Sequence, residues 1–220
     1  MSRVIKNLLF DLDGTILDTN ELIMRSFLHA LDGVVPPGFG REQMIPHMGL
    51  TLIDQMNYFS GMEDASHLIP IYREMNMRLH DELVKPFPNT LEVLQRLKEA
   101  GYRLGVVTTK IRMSTDKGLK LTGLYDLMDA IVTLDDVQHA KPHPEPVQKA
   151  MQLLSAEPAE TFMVGDSTVD MQSALEAGAI PVGVAWSLKG EQLLRDYGAV
   201  HVLHDMRDLY DLLGLEPGTA

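Results

Sequence analysis

The sequence predicts an α/β fold: a doubly wound, Rossmann-like parallel sheet with a helical segment inserted after its first strand. Two observations predict it. Strand and helix patterns alternate from Arg103 to Leu213, and one short apolar run stands far ahead of them, at Val4 to Phe10. Alternation of this kind buries a parallel sheet between helices on both faces.

The first run is broken only at Lys6 and Asn7, and its length suits a buried strand. Asn89 is placed to cap a helix, with Glu92 three residues on completing a capping box, and Gly101 stands where that helix should stop. The next strand is Arg103 to Val107. Helix 111–121, strand Ala130 to Thr133, helix 145–154, strand Thr161 to Val164 and helix 168–177 follow. Strand Ile180 to Ala185, helix 189–197, strand Val200 to Leu203 and helix 205–213 complete the series.

Residues 18–86 differ. They carry helical patterns at 20–31, 51–59 and 64–84, separated by stretches such as DGVVPPGFG, and no strand is predicted among them. Seven of the fourteen methionines fall here, as adaptable core filler. The expected division is a core of residues 1–17 and 87–220 and a helical insert of residues 18–86.

With 220 residues, 45% hydrophobic, the chain can build one substantial core and a small insert. It has no cysteine, so disulfides and thiolate zinc sites are excluded. No stretch approaches the ~18 apolar residues of a membrane span, and the first residues lack the pattern of a signal peptide. The expected location is cytoplasmic. The net charge of −12 disfavours nucleic acid and anionic membranes as partners, so an anionic substrate would need local cations.

Three predicted strands end in polar residues suited to phosphate chemistry, and open parallel sheets bind ligands at that edge. The first ends in Asp11-Leu12-Asp13-Gly14-Thr15, the second in Thr108-Thr109-Lys110, the third in Gly165-Asp166 with Ser167 and Asp170 beyond. Asp11 and Asp13 are not a calcium loop. Counted from Asp11, the sixth and twelfth positions are Ile16 and Leu22, where Gly and Glu are needed. Instead, one carboxylate can attack phosphorus while the other moves protons. Gly14 permits the tight turn after them. Mg²⁺, a hard cation, would screen the carboxylate from its anionic substrate, and Asp166 and Asp170 can add oxygen ligands. Lys141 lies in HAKPHPEP, where prolines hold it in place as a point cation for Asp11 and a phosphoryl group. His143 in the same stretch is the weaker candidate for a catalytic part. Thr108 can donate its hydroxyl to a phosphoryl oxygen.

FDLDGT, VTTK, KPHPEP and VGDSTVD, in this order, resemble the haloacid dehalogenase (HAD) superfamily along the whole chain. The resemblance implies Asp11 as nucleophile, Asp13 as acid/base, and Thr108 and Lys141 as phosphate binders, with Thr109 and Gly14 lining the same pocket. It implies Mg²⁺ held by the Asp11 side chain, the Asp13 backbone carbonyl and Asp166, with Asp170 ordering the surroundings. The helical insert looks like this superfamily's mobile cap. Members that cleave carbon–halogen bonds lack an acid at the position of Asp13, so a phosphatase is implied. DTNELI, VTTKIR, KGLKLTGL, VTLDDVQHAKPHPEPV and GVAWSLKG resemble one subgroup, the inorganic pyrophosphatases that accompany HPr kinase/phosphorylase in low-GC Gram-positive bacteria. His143 departs from the acid expected there. The implied task is hydrolysis of pyrophosphate released from phosphoserine-HPr, linked to HPr metabolically, by a monomer or weak dimer.

The alternatives are a phosphatase for a small organic phosphate such as 2-phosphoglycolate, a phosphomutase, and a non-catalytic phosphate-binding module. Substrate choice would fall to the insert, whose candidates are Asn20, Arg25, His47, Gly49, Arg73 and Arg78.

Overall fold

The computed structural model describes residues 4–216. Its strands are β1 (Asn7–Phe10), β2 (Leu17–Asp18), β3 (Lys85–Pro86), β4 (Arg103–Val107), β5 (Ala130–Val132), β6 (Thr161–Gly165), β7 (Ile180–Val184) and β8 (His201–Leu203). Six of them form one parallel sheet in the order β5–β4–β1–β6–β7–β8. The chain fills the sheet outward from β1, first to one side through β4 and β5, then to the other through β6, β7 and β8. The direction of winding reverses at β1, and this reversal opens a crevice at the carboxyl ends of β4, β1 and β6.

Side chains alternate across the sheet. Leu8 and Phe10 of β1, Leu104 and Val106 of β4, and Phe162 and Val164 of β6 share one core cluster with α5 (Thr90–Glu99) and α10 (Asp208–Leu213). Leu9, Val107 and Met163 point the other way, into a cluster with α7 (Glu145–Leu154) and α8 (Thr168–Glu176). Both faces are therefore dry, which is why these strands read as continuous apolar runs. Helices α6 (Arg112–Leu121) and α9 (Glu191–Asp196) complete the alternation.

Between β2 and β3 lie α1 (Asn20–Ala30), α2 (Arg41–Met44), α3 (Leu52–Ser60) and α4 (Ile69–Leu83). They hold a separate apolar cluster in which Met24, Met44, Met48 and Met56 surround Phe27, Phe59 and Tyr72. Phe27 meets Phe59 edge to face at 5.1 Å, the favoured geometry for aromatic quadrupoles.

The structure corrects several expectations. The first strand begins at Asn7, and Val4 is exposed. Residues 17–86 do contain strands: β2 and β3 pair antiparallel, Leu17 with Pro86 and Asp18 with Lys85. Two residues each are too short to show alternation, and their pairing joins distant parts of the chain. Helix 64–84 is divided into a 3-10 turn at Ser66–Leu68 and α4, with Pro70 in the first turn of α4. Helices 189–197 and 205–213 begin later, at Glu191 and Asp208. Asn89 does not cap α5 with its side chain. It takes a left-handed conformation (φ 64°) and donates from Nδ2 to both oxygens of Asp205, at 3.1 and 2.9 Å. Gly101 ends α5 as expected, at φ 88°.

Candidate active site

Asp11 follows β1 directly, and its amide donates to the Val164 carbonyl at 2.8 Å, so the sheet ladder carries it to the crevice. Gly14 then turns the chain at φ 85°. A Cβ on Gly14 would lie 2.4 Å from Asp166 Oδ2, so only glycine lets this turn approach the third acidic strand end.

Lys141 is almost fully buried and donates from Nζ to Asp11 Oδ1 at 2.6 Å, Asp170 Oδ1 at 2.6 Å and the Val107 carbonyl at 2.9 Å. All three ammonium donors are used. Burial acts to lower the Lys141 pKa, but the charges of Asp11 and Asp170 outweigh it and hold it above the usual lysine value. Burial is also the main influence on Asp11, opposed by Lys141 and reinforced by Asp170 and Asp13, and its carboxyl is pushed up to about 7. Asp166 is raised well above the usual carboxylate range by burial, then by the charges of Asp11 and Asp170.

The donor set fits a hard divalent cation. Asp11, Asp166 and Asp170 bring oxygens within 4.8 Å of one another. Both oxygens of Asp170 are engaged, Oδ1 by Lys141 and Oδ2 by the Ser167 amide at 3.0 Å and hydroxyl at 2.5 Å. Asp166 has no side-chain ion pair among the described residues, and Asp11 keeps one oxygen free of Lys141. Three free carboxylate oxygens in a buried place are strained as anions, and Mg²⁺ would relieve them.

Asp13 lies at the edge of this centre with its carboxylate turned to Lys110, whose Nζ is 2.8 Å from Oδ1 and 3.0 Å from Oδ2. Thr108 is buried, and its hydroxyl accepts from the Lys110 amide at 3.1 Å, which fixes the turn after β4. Thr109 reaches the insert: its hydroxyl donates to the Gly49 carbonyl at 3.2 Å. Gly49 itself, at φ 98°, sits where a Cβ would be 2.8 Å from Ser167 Oγ. His47 stacks on Tyr58 (ring centroids 3.6 Å apart), and burial together with the charge of Lys189 lowers its pKa. Asn20 opens α1 with its Oδ1 buried and unpartnered among the described residues.

A cavity of about 190 Å³ opens beside Asp13 and Lys110, walled by Ile23, Leu52, Tyr72 and Arg73 of the insert, by Ile111 just before α6 and by Met113 in it. Arg73 therefore borders the site. Arg25 does not reach it, being paired with Glu21 on the exposed face of α1. Arg78 is exposed on α4. His143 is also exposed and stacks near His139, at 4.6 Å.

The sequence names Lys110 and Ser167 at the strand ends without giving them a role, and Ser187 and Lys189, beside the site, escape it. The Ser187 hydroxyl donates to the Asp166 carbonyl at 2.6 Å, and Lys189 Nζ donates to the Met48 carbonyl, contacts between chain segments that no local spacing announces.

The haloacid dehalogenase-like hydrolase family pattern matches residues 8–184. A pyrophosphatase PpaX from Bacillus velezensis is 46% identical over 211 residues, spanning 95% of this chain and 96% of that protein. One from Bacillus mycoides is 44% identical over 209 residues, spanning 95% and 97%. Among solved structures, a haloacid dehalogenase-like family hydrolase from Streptococcus pneumoniae superposes with a TM-score of 0.81 at 24% identity, covering 94% of this chain and 98% of that one. With these motifs gathered at one crevice, the chain belongs to the haloacid dehalogenase-like hydrolase family.

Proposed function

We propose that this chain hydrolyses inorganic pyrophosphate to two phosphates, using Asp11 as a covalent nucleophile and Mg²⁺ as cofactor. The observation that carries the chemistry is the Asp11 carboxylate at the end of β1, gripped by Lys141 at 2.6 Å beside the unpaired Asp166. The choice of substrate is supported by relatives named pyrophosphatase that match 95% of the chain.

The Asp11 oxygen not held by Lys141 attacks the near phosphorus, and the bridging P–O bond breaks toward the leaving phosphate. Lys141 neutralises charge on the aspartyl-phosphate as it forms, and the Thr108 hydroxyl donates to a phosphoryl oxygen. Asp13 gives a proton to the leaving phosphate, then takes one from the water that attacks the same phosphorus and frees Asp11. Lys110 keeps Asp13 oriented until the substrate anion competes for its ammonium. Asp11, Asp166 and the Asp13 carbonyl would hold Mg²⁺, which would supply charge screening between carboxylate and substrate. Asp170 acts through Lys141 and Ser167.

Residues 18–86 serve as a cap on a core of residues 1–17 and 87–220, and the Thr109–Gly49 contact supports a closed arrangement. The biological pyrophosphate is that released by phosphorolysis of phosphoserine-HPr, a link supported by the subgroup resemblance.

Phosphate release by purified protein with Mg²⁺ tests this, with pyrophosphate compared against 2-phosphoglycolate. A kcat/KM at least ~100-fold higher for pyrophosphate, about 2.7 kcal/mol of transition-state discrimination, is expected. A preference for phosphoglycolate would overturn the substrate and keep the mechanism.

A further inference from the structure

Three lysines face the acidic centre, and two of them are paired. Lys141 holds Asp11 and Asp170, and Lys110 holds Asp13. Lys189 is the third. It stands in GVAWSLKG, between β7 and α9, a stretch for which the catalytic steps have no use.

The loop that carries Lys189 is tied to the centre. Ser187 Oγ donates to the Asp166 carbonyl at 2.6 Å and accepts from the Lys189 amide at 3.1 Å. The neighbouring Leu188 packs against the apolar cluster of the insert. The half-buried Lys189 side chain crosses the seam, and its Nζ donates to the Met48 carbonyl, one residue from His47 and Gly49. That contact uses one of three ammonium donors. Among the described residues, Lys189 has no carboxylate partner at ion-pair distance. Burial pushes its pKa down, opposed by the charges of Asp166, Asp170 and Asp11. His47 beside it is held toward the neutral form, so it does not add a second cation there.

A cation partly removed from water and lacking an anion is costly, and an anionic ligand group would relieve it. Lys141 and Thr108 serve the phosphoryl group under attack, and Lys110 is paired with Asp13, so no unpaired cation is yet assigned to the phosphate that leaves. We propose that Lys189 binds the second phosphate of pyrophosphate, the group that leaves, and that the Met48 carbonyl of the insert aims the ammonium at it. As the bridging bond breaks, negative charge builds on this group, and a fixed point charge there stabilises the departing anion. Because the same ammonium bridges to residue 48, the subsite is complete only when insert and core are together.

This inference rests on the pyrophosphate reading, and the test separates the two. Calorimetry in Mg²⁺ measures binding of imidodiphosphate, a non-hydrolysed two-phosphate ligand, and of inorganic phosphate. Lys189→Ala is expected to weaken imidodiphosphate about tenfold or more and to leave phosphate unchanged. Lys189→Arg should restore most of the loss, and KM for pyrophosphate should follow the same order. Equal weakening of both ligands would make Lys189 a structural clasp and overturn the subsite, as would no weakening of either. Failure of the wild-type protein to hydrolyse pyrophosphate would instead remove the proposed function.

Discussion

Asp11, Lys141 and Asp170 form a buried chain in which each charge is supported by the next. Removing the proposed nucleophile alone, by Asp11→Asn, is expected to lower pyrophosphate turnover by at least ~10³-fold, because the amide cannot form the acyl phosphate. Steady-state phosphate release checks it. Lys141→Met leaves Asp11 and Asp170 buried without their shared cation. Breaking a buried pair from one side costs about 3–5 kcal/mol, and urea unfolding in EDTA should show a loss of that order. Some of it should return in Mg²⁺, since a cation near Asp11 and Asp166 would compensate. These candidates were legible in the sequence because each acid or lysine follows an apolar strand or sits in a proline-held turn. Asp170 was legible only as a candidate metal-ligating acid. Its pairing with Lys141 joins residues that are far apart in sequence, so no local pattern could announce it.

At the scale of elements, the turn at the seam between insert and core depends on glycine. Gly49 brings the insert against Ser167 at φ 98°, where a Cβ would be 2.8 Å from the serine hydroxyl. Gly49→Ala should push the insert off the core at this seam, raising KM for pyrophosphate several-fold while the melting temperature of the protein changes little. Steady-state kinetics and calorimetric melting check the two halves of that statement. The start of α5 responds to acid instead. Arg207 donates to Asp205, and with help from Asn89 it holds the carboxyl at about 2, below its ordinary 3.8. A depressed carboxylate stabilises the fold fully above 3.8, and the contribution is lost as pH falls toward 2. The stability gap between wild type and Asp205→Asn should therefore narrow between about pH 4 and about pH 2 in urea titrations. The gap itself is small, because Arg207 is exposed and Asp205 only half-buried, so solvent screens the pair.

For the molecule as a whole, the acidic centre links cation binding to folding. Only the folded sheet brings the ends of β1 and β6 together, so the proposed Mg²⁺ would bind the native state in preference to the unfolded chain. At ~100 times its dissociation constant it should add about 2.7 kcal/mol to the unfolding free energy, and Asp166→Asn should abolish most of that gain. Denaturant titrations with and without Mg²⁺ measure both. The alternation of elements, the first strand, the helical character of residues 18–86 and the acids at three strand ends were all determined by the sequence alone. These features are local: hydrophobic period, capping residues and turn residues act over a few positions. The short β2–β3 pairing, the diversion of Asn89 to Asp205, the Lys110–Asp13 pair and the Lys189 contact with residue 48 were decided by tertiary structure. Each depends on which distant segment the folded sheet brings within a few ångströms, and that proximity has no periodicity to read along the chain.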